Sequence, residues 1–186
     1  EAPALVWPFN GLNTGRENAV NNSLLGSALR PRFRWRAVQN ASVYEVQWSS
    51  ACSPSGFASC SFAGEPTERT DQLALQPSAD LAVRATKPVG RRYYWHVRAC
   101  RALGDCGPWS MVRYVNVGRA NHDFNGDGYS DLAVGAKGAA PGGRVGAGTV
   151  TVYHGSTTGL SAAAAWVFEG NASGDEFGIA VASGGD

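Results

Sequence analysis

The nine residues Asp123 to Asp131, DFNGDGYSD, carry side-chain oxygens at their first, third, fifth and ninth positions and a glycine at the sixth. Hard divalent cations need several oxygens from a sharply folded backbone. Asp123, Asn125 and Asp127 offer them at alternating positions, and Gly128 permits the bend. Tyr129 would add its main-chain carbonyl and Asp131 a further carboxylate. The competing account is a polar turn without metal, since Asp, Asn and Gly are also the usual turn residues. In that account three carboxylates within nine residues repel one another with nothing to offset them. Several protein oxygens in a flexible loop suit calcium better than magnesium. The expected ligands are therefore Asp123, Asn125, Asp127, Tyr129 and Asp131, and the expected cofactor is calcium.

Other chemistry is sparse. His96, His122 and His154 lie far apart with no H-x3-H pair, and no G-x-S-x-G, G-x-x-x-x-G-K-[ST] or G-x-G-x-x-G string occurs. No catalytic residue is expected, nor an enzyme. His96 falls on the outward phase of a strand, where solvent contact is ordinary, and His122 adjoins the acidic loop. Sixteen basic and 15 acidic side chains give a net charge of +1, which argues against an overall footprint for nucleic acid or an anionic membrane. Arg32, Arg34 and Arg36 alternate with Phe33 and Trp35, a pattern that could contact phosphates and stack on bases. The outward face of a half-buried strand accounts for it better, because arginine stems also cover apolar surface. No apolar run approaches the roughly 20 residues of a membrane span, so no membrane insertion is expected.

Cys52 and Cys60 lie eight apart, and Cys100 and Cys106 six apart. Four cysteines allow three pairings, of which the local one closes two short loops, and neither spacing fits a zinc knuckle. Disulfides imply an oxidising compartment, so a secreted or cell-surface location is expected. The chain opens Glu1-Ala2-Pro3 without a charged or apolar leader, so any signal peptide was already removed or was never part of this sequence, and export rests on the cysteines. Fourteen arginines against two lysines suggest a GC-rich, bacterial source. The sequons at Asn21, Asn40 and Asn171 carry little weight, because such triplets arise easily in Asn/Ser-rich loops.

The elements that must hold these residues read as strands. Phe33, Trp35 and Ala37 alternate with arginines; Tyr44, Val46 and Trp48 repeat the pattern. Leu81 and Val83 follow in DLAVRA, then Tyr93, Trp95, Val97 and Ala99, then WSMVRYVNV. Turn-separated strands without helical crossovers point to an antiparallel sandwich. Residues 3 to 117 resemble a fibronectin type III domain, with Trp35 on its second strand, Tyr44 on its third, Tyr93, Trp95, Val97 and Ala99 on its sixth, and GPWS entering its last. The resemblance implies that the Tyr93 ring lies in the core and its hydroxyl returns to backbone. The two cysteine pairs and the long segment after Trp48 depart from that family's pattern. Arg98 and Trp109, on adjoining strands, could stack as a cation-π pair.

Composition changes after Gly118, so the domains are read as 1–118 and 119–186. The second combines the acidic loop, DLAVGA, a Gly/Pro-rich connection, TVTVYHG, the apolar AAAWVFEG and DEFGIAVASGGD. An EF-hand does not fit, because its twelfth position needs a bidentate acid and Val134 stands there. The loop resembles the D-x-[DN]-x-D-G-x-x-D segment of FG-GAP repeats, the blades of integrin-alpha-type β-propellers. DLAVGA and GTVTVYHGS match the strands after it, although GAK at Gly135 to Lys137 replaces that family's Gly-Ala-Pro.

The fold class expected is thus all-β: a fibronectin type III-like sandwich followed by about one blade of a calcium-binding propeller. Asp186 aligns with Asp123 as the first ligand of a further loop, which reads as the front of a longer protein or a cleaved product. The resemblances imply a non-catalytic adhesion or ligand-binding protein with an unidentified protein or glycan ligand. The alternative is an accessory region of an extracellular enzyme. Glu176 to Gly185 reads as an opening strand for the vacant place beside DLAVGA, filled by folding back or by exchange with a second copy as a swapped homodimer.

Overall fold

The computed structural model describes residues 1–15, 26–52, 60–102 and 104–182. Among these residues it is all-β apart from a 3-10 turn at Pro141–Gly143, and the chain divides into two compact units, Glu1–Arg119 and Ala120–Asp186. Asn21 and Asp186, singled out in the sequence, lie outside the described residues.

In the first unit, strands β1 (Leu5–Trp7), β5 (Phe33–Trp35) and β8 (Ala74–Leu75) form one antiparallel sheet in the order β1-β5-β8. A second sheet runs β2 (Leu12–Asn13), β11 (Arg113–Val117), β9 (Arg91–Ala102), β6 (Val43–Ser49), β7 (Thr67–Thr70), with β10 (Asp105–Cys106) paired to β9. Its pairings are antiparallel except β2 with β11, which is parallel. A short hairpin, β3 (Gly26–Ser27) with β4 (Arg30–Pro31), precedes β5.

Alternation decides the core. Phe33, Trp35 and Leu75 from the first sheet meet Val46, Trp48, Trp95, Val97 and Val115 from the second in one buried cluster. Phe33 stacks on Trp95 at 4.7 Å between centroids. Tyr93 is buried and its hydroxyl donates to the Ala82 carbonyl at 2.7 Å, so the ring packs inside while its polar tip is satisfied. Two expectations yield here. Ala37 is exposed, because β5 ends at Trp35. DLAVRA forms no strand: Arg84 makes one isolated bridge to Gly90, yet Leu81 is still buried and Val83 still packs on the core. Burial drives these side chains inward without a ladder.

The outer face of the second sheet carries a stacked ladder. Arg69 and Arg98 both donate to the Glu45 carboxylate, at 2.8 Å and 2.6 Å. Burial pushes the Glu45 pKa up, but hydrogen bonds and charge from the two arginines outweigh it and hold the carboxyl below its ordinary value. Arg98 sits over Trp109 at 4.5 Å, Trp109 stacks on His96 at 3.9 Å, and His96 on Phe62 at 3.8 Å. His96 does point outward, but it is not solvated: the two aromatic rings roof it to 7% exposure, and its Nε2 meets Gln47 Oε1 at 3.0 Å.

Burial first, and the Arg98 charge second, lower the His96 pKa from 6.5 to about 4. A depressed histidine contributes stability that is whole above the unfolded pKa and is lost as pH falls from about 6.5 toward 4, where the unfolded chain binds the extra proton. At about 1.4 kcal/mol per unit, the first unit should lose on the order of 3 kcal/mol between pH 7 and pH 4. Urea unfolding at the two pH values checks this against a His96→Phe variant, which should lack that loss. An equal loss in the variant would refute the assignment.

Both cysteine pairs are the local ones, Cys52–Cys60 and Cys100–Cys106. Cys100 and Cys106 face one another across the β9–β10 pair.

The second unit is an antiparallel meander of β12 (Leu132–Ala136), β13 (Thr149–Tyr153) and β14 (Trp166–Glu169). Apolar residues on both faces stay uncovered within it: Leu132, Val134, Trp166, Val167 and Phe168 are all exposed. The segment read as an opening strand forms no strand among the described residues. Its Glu176 and Phe177 amides donate to the Gly146 and Ala147 carbonyls of the same chain at 2.9 Å each, with a single parallel bridge from Gly148 to Phe177. A Cβ on Gly135 would collide with the Gly178 carbonyl, and one on Gly178 with the Thr149 carbonyl. The segment therefore lies over the face of β12 and β13, where glycine allows backbones to touch, and does not extend the sheet edge beside β12.

Candidate metal centre

The acidic loop closes through its own side chains. The Asp127 amide donates to both Asp123 Oδ1 and Asn125 Oδ1 at 2.9 Å, so those two oxygens are neighbours on one N–H. The Gly128 amide donates to Asp123 Oδ2 at 2.7 Å, and the Tyr129 amide to Asp127 Oδ1 at 3.0 Å. Consecutive amides thus gather the oxygens of Asp123, Asn125 and Asp127 around one bend, which is why short Asx side chains stand at alternating positions. Gly126 at φ 73° and Gly128 at φ 91° take the left-handed conformations the bend requires.

Asp131 has another task. Its side chain is 0% exposed; Oδ2 accepts from the Phe124 amide at 2.7 Å and Oδ1 from the Gly155 amide at 2.8 Å. It ties the head of the loop to the residues that follow β13. The Asp131 amide in turn donates to the His122 carbonyl at 2.9 Å, closing the loop at its base. His154 Nδ1 stands 3.3 Å from Asp131 Oδ2, within ion-pair distance but not aligned for a hydrogen bond. Gly155 must be glycine, because a Cβ there would collide with the Ser130 carbonyl. Tyr129, expected to act through its carbonyl, enters the loop network through its amide.

Among the described residues one trio of metal-ligating side chains lies within 4.8 Å, namely Glu45, Cys100 and Cys106. It cannot hold a cation, since both sulfurs are in a disulfide and Glu45 is bound by two arginines. The loop carboxylates are turned instead to amides. The donor set nevertheless fits a hard cation: it is all oxygen, two of its members share one N–H, and each carboxylate has about four lone-pair sites, of which Asp123 spends two on amides.

Of the five residues read as ligands, the fold draws Asp123, Asn125, Asp127 and Tyr129 into one bend and sets Asp131 as the latch behind it. Gly155 was missed because it lies 24 residues from Asp131, and its only sequence signal is a glycine closing TVTVYHG.

The FG-GAP repeat family matches residues 122–153, which span this loop, β12 and β13. Comparison with curated proteins and with solved structures gives no match.

Proposed function

We propose that this chain belongs to a non-catalytic, secreted or cell-surface protein of the adhesion or ligand-binding class, whose second unit binds calcium in the Asp123–Asp131 loop. The observation that carries the reading is the FG-GAP match over residues 122–153 together with the convergence of the Asp123 and Asn125 oxygens on one amide. Asp123, Asn125 and Asp127 would hold the ion, with the Tyr129 carbonyl and Asp131 completing the set. The ion would supply positive charge that offsets clustered carboxylates and fixes the loop that starts β12. Two disulfides, and the lack of any described helix long and apolar enough to cross a membrane, are consistent with an extracellular setting.

For the first unit we propose a fibronectin type III-like sandwich that serves as spacer or binder. Supporting this are the β1-β5-β8 and β11-β9-β6-β7 sheets over one core and the return of the Tyr93 hydroxyl to backbone. The apolar residues exposed on both faces of the second unit are the surface by which a propeller blade packs on its neighbours, consistent with further repeats beside it.

Calorimetric titration of calcium into chelator-treated protein should show about one equivalent bound per chain, in the roughly micromolar to millimolar range of such loops. Asp127→Ala should abolish that heat. No heat from the parent protein, or the same heat from the variant, would overturn the calcium reading.

A further inference from the structure

The near-neutral chain conceals two oppositely charged units. By sequence the first carries 14 basic and 8 acidic side chains, and the second 2 basic and 7 acidic. In the first unit four arginines, Arg84, Arg91, Arg92 and Arg119, line one cleft of about 490 Å³ beside Ser50 and Tyr94. No acidic side chain lines it among the described residues.

The arginines are positioned by specific contacts. Arg91 Nη1 donates to Ser50 Oγ at 3.3 Å. Arg92 Nε donates to Asn116 Oδ1 at 2.9 Å, and its guanidinium lies over the Tyr114 ring at 4.2 Å. Arg84 is set beside them by paired backbone hydrogen bonds with Gly90. Gly90 sits at φ 80°, and a Cβ there would come within 2.6 Å of the Arg119 stem, so the absence of a side chain lets Arg119 run across to the cleft. Like charges lining one concave site repel one another, and an anion bound there would offset them. Each guanidinium has five N–H donors; Arg92 gives one to Asn116, and Arg91 gives one to Ser50 and lies beside the Tyr93 hydroxyl.

We propose that this cleft binds a dianionic oxyanion group, a sulfate or phosphate carried by a larger ligand or free. Planar guanidinium forks match such oxygens, and several cations lining one cleft favour a doubly over a singly charged group. The site lies wholly in the first unit and does not depend on the calcium loop.

The test follows backbone amides of Gly90 to Arg92 by NMR while inorganic sulfate, inorganic phosphate or acetate is titrated at constant ionic strength. Saturable shifts are expected with sulfate and phosphate, at least about tenfold tighter than with acetate; the stronger of the two dianions identifies the source chemistry. Arg84→Gln, at an exposed position that should not disturb folding, and Arg91→Gln should each weaken dianion binding about tenfold. Arg34→Gln, an equal charge change at an exposed β5 position, should leave it unchanged. Absent or non-saturating shifts, acetate binding as tightly as the dianions, or an Arg34→Gln loss equal to that of Arg84→Gln would overturn the proposal.

Discussion

Asp131→Ala should destabilise the second unit by on the order of 3–5 kcal/mol and abolish calcium binding, the first of these even in chelator. The fully buried carboxylate accepts the Phe124 and Gly155 amides. Its removal leaves two donors without partners, each costing about 1–3 kcal/mol, and opens the space it filled. Asp127 makes a useful contrast, because its carboxylate accepts the Tyr129 amide two residues on, within the loop itself. Asp127→Ala should therefore lose less stability than Asp131→Ala in chelator, and should lack the added stability that calcium gives the parent. Urea unfolding of both variants with calcium and with chelator separates the two roles. An Asp131→Ala variant as stable as the parent in chelator would show that Asp131 is not a latch, while a stable variant that still binds calcium would remove it from the ligand set as well.

What could be read from the chain follows the range of each interaction. The bend of the loop was legible because its Asx side chains, glycines and amides all fall within nine residues, and local spacing specifies Asx geometry. The latch was not, since Gly155 comes to Asp131 only when β13 pairs with β12. Strand phase placed Tyr93, Trp95 and Val97 inward correctly, but phase says nothing about what covers the other face. His96 reads as an outward residue, and only the folded positions of Phe62 and Trp109 bury it. Opposite charges on the two units cancel in the net charge of +1, so the arginine cleft could not emerge from composition. DLAVRA shows a further limit: alternation reports which side chains are buried, whereas a strand also needs a neighbour with free backbone groups.

Trp95→Ala should cost the first unit about 3–5 kcal/mol, a large part of the 5–15 kcal/mol typical of a domain. Trp95 is 0% exposed, stands opposite Trp48 on β6 and stacks on Phe33 of the facing sheet, so truncation leaves a hole bounded by both sheets. Its indole Nε1 is buried and finds no hydrogen-bond partner among the described residues. That unpaired donor costs about 1–3 kcal/mol in the parent, and Trp95→Phe removes it while keeping an aromatic ring against Phe33. Two terms of opposite sign then nearly offset: lost volume destabilises, and relief of the buried N–H stabilises. Trp95→Phe should accordingly lie within about 1.5 kcal/mol of the parent. Chemical unfolding followed by far-ultraviolet circular dichroism measures both variants without relying on the fluorescence of the remaining tryptophans. If phenylalanine proved as costly as alanine, the indole N–H would have to be satisfied in the parent, and the core would be held by a polar contact at Trp95 in addition to its packing.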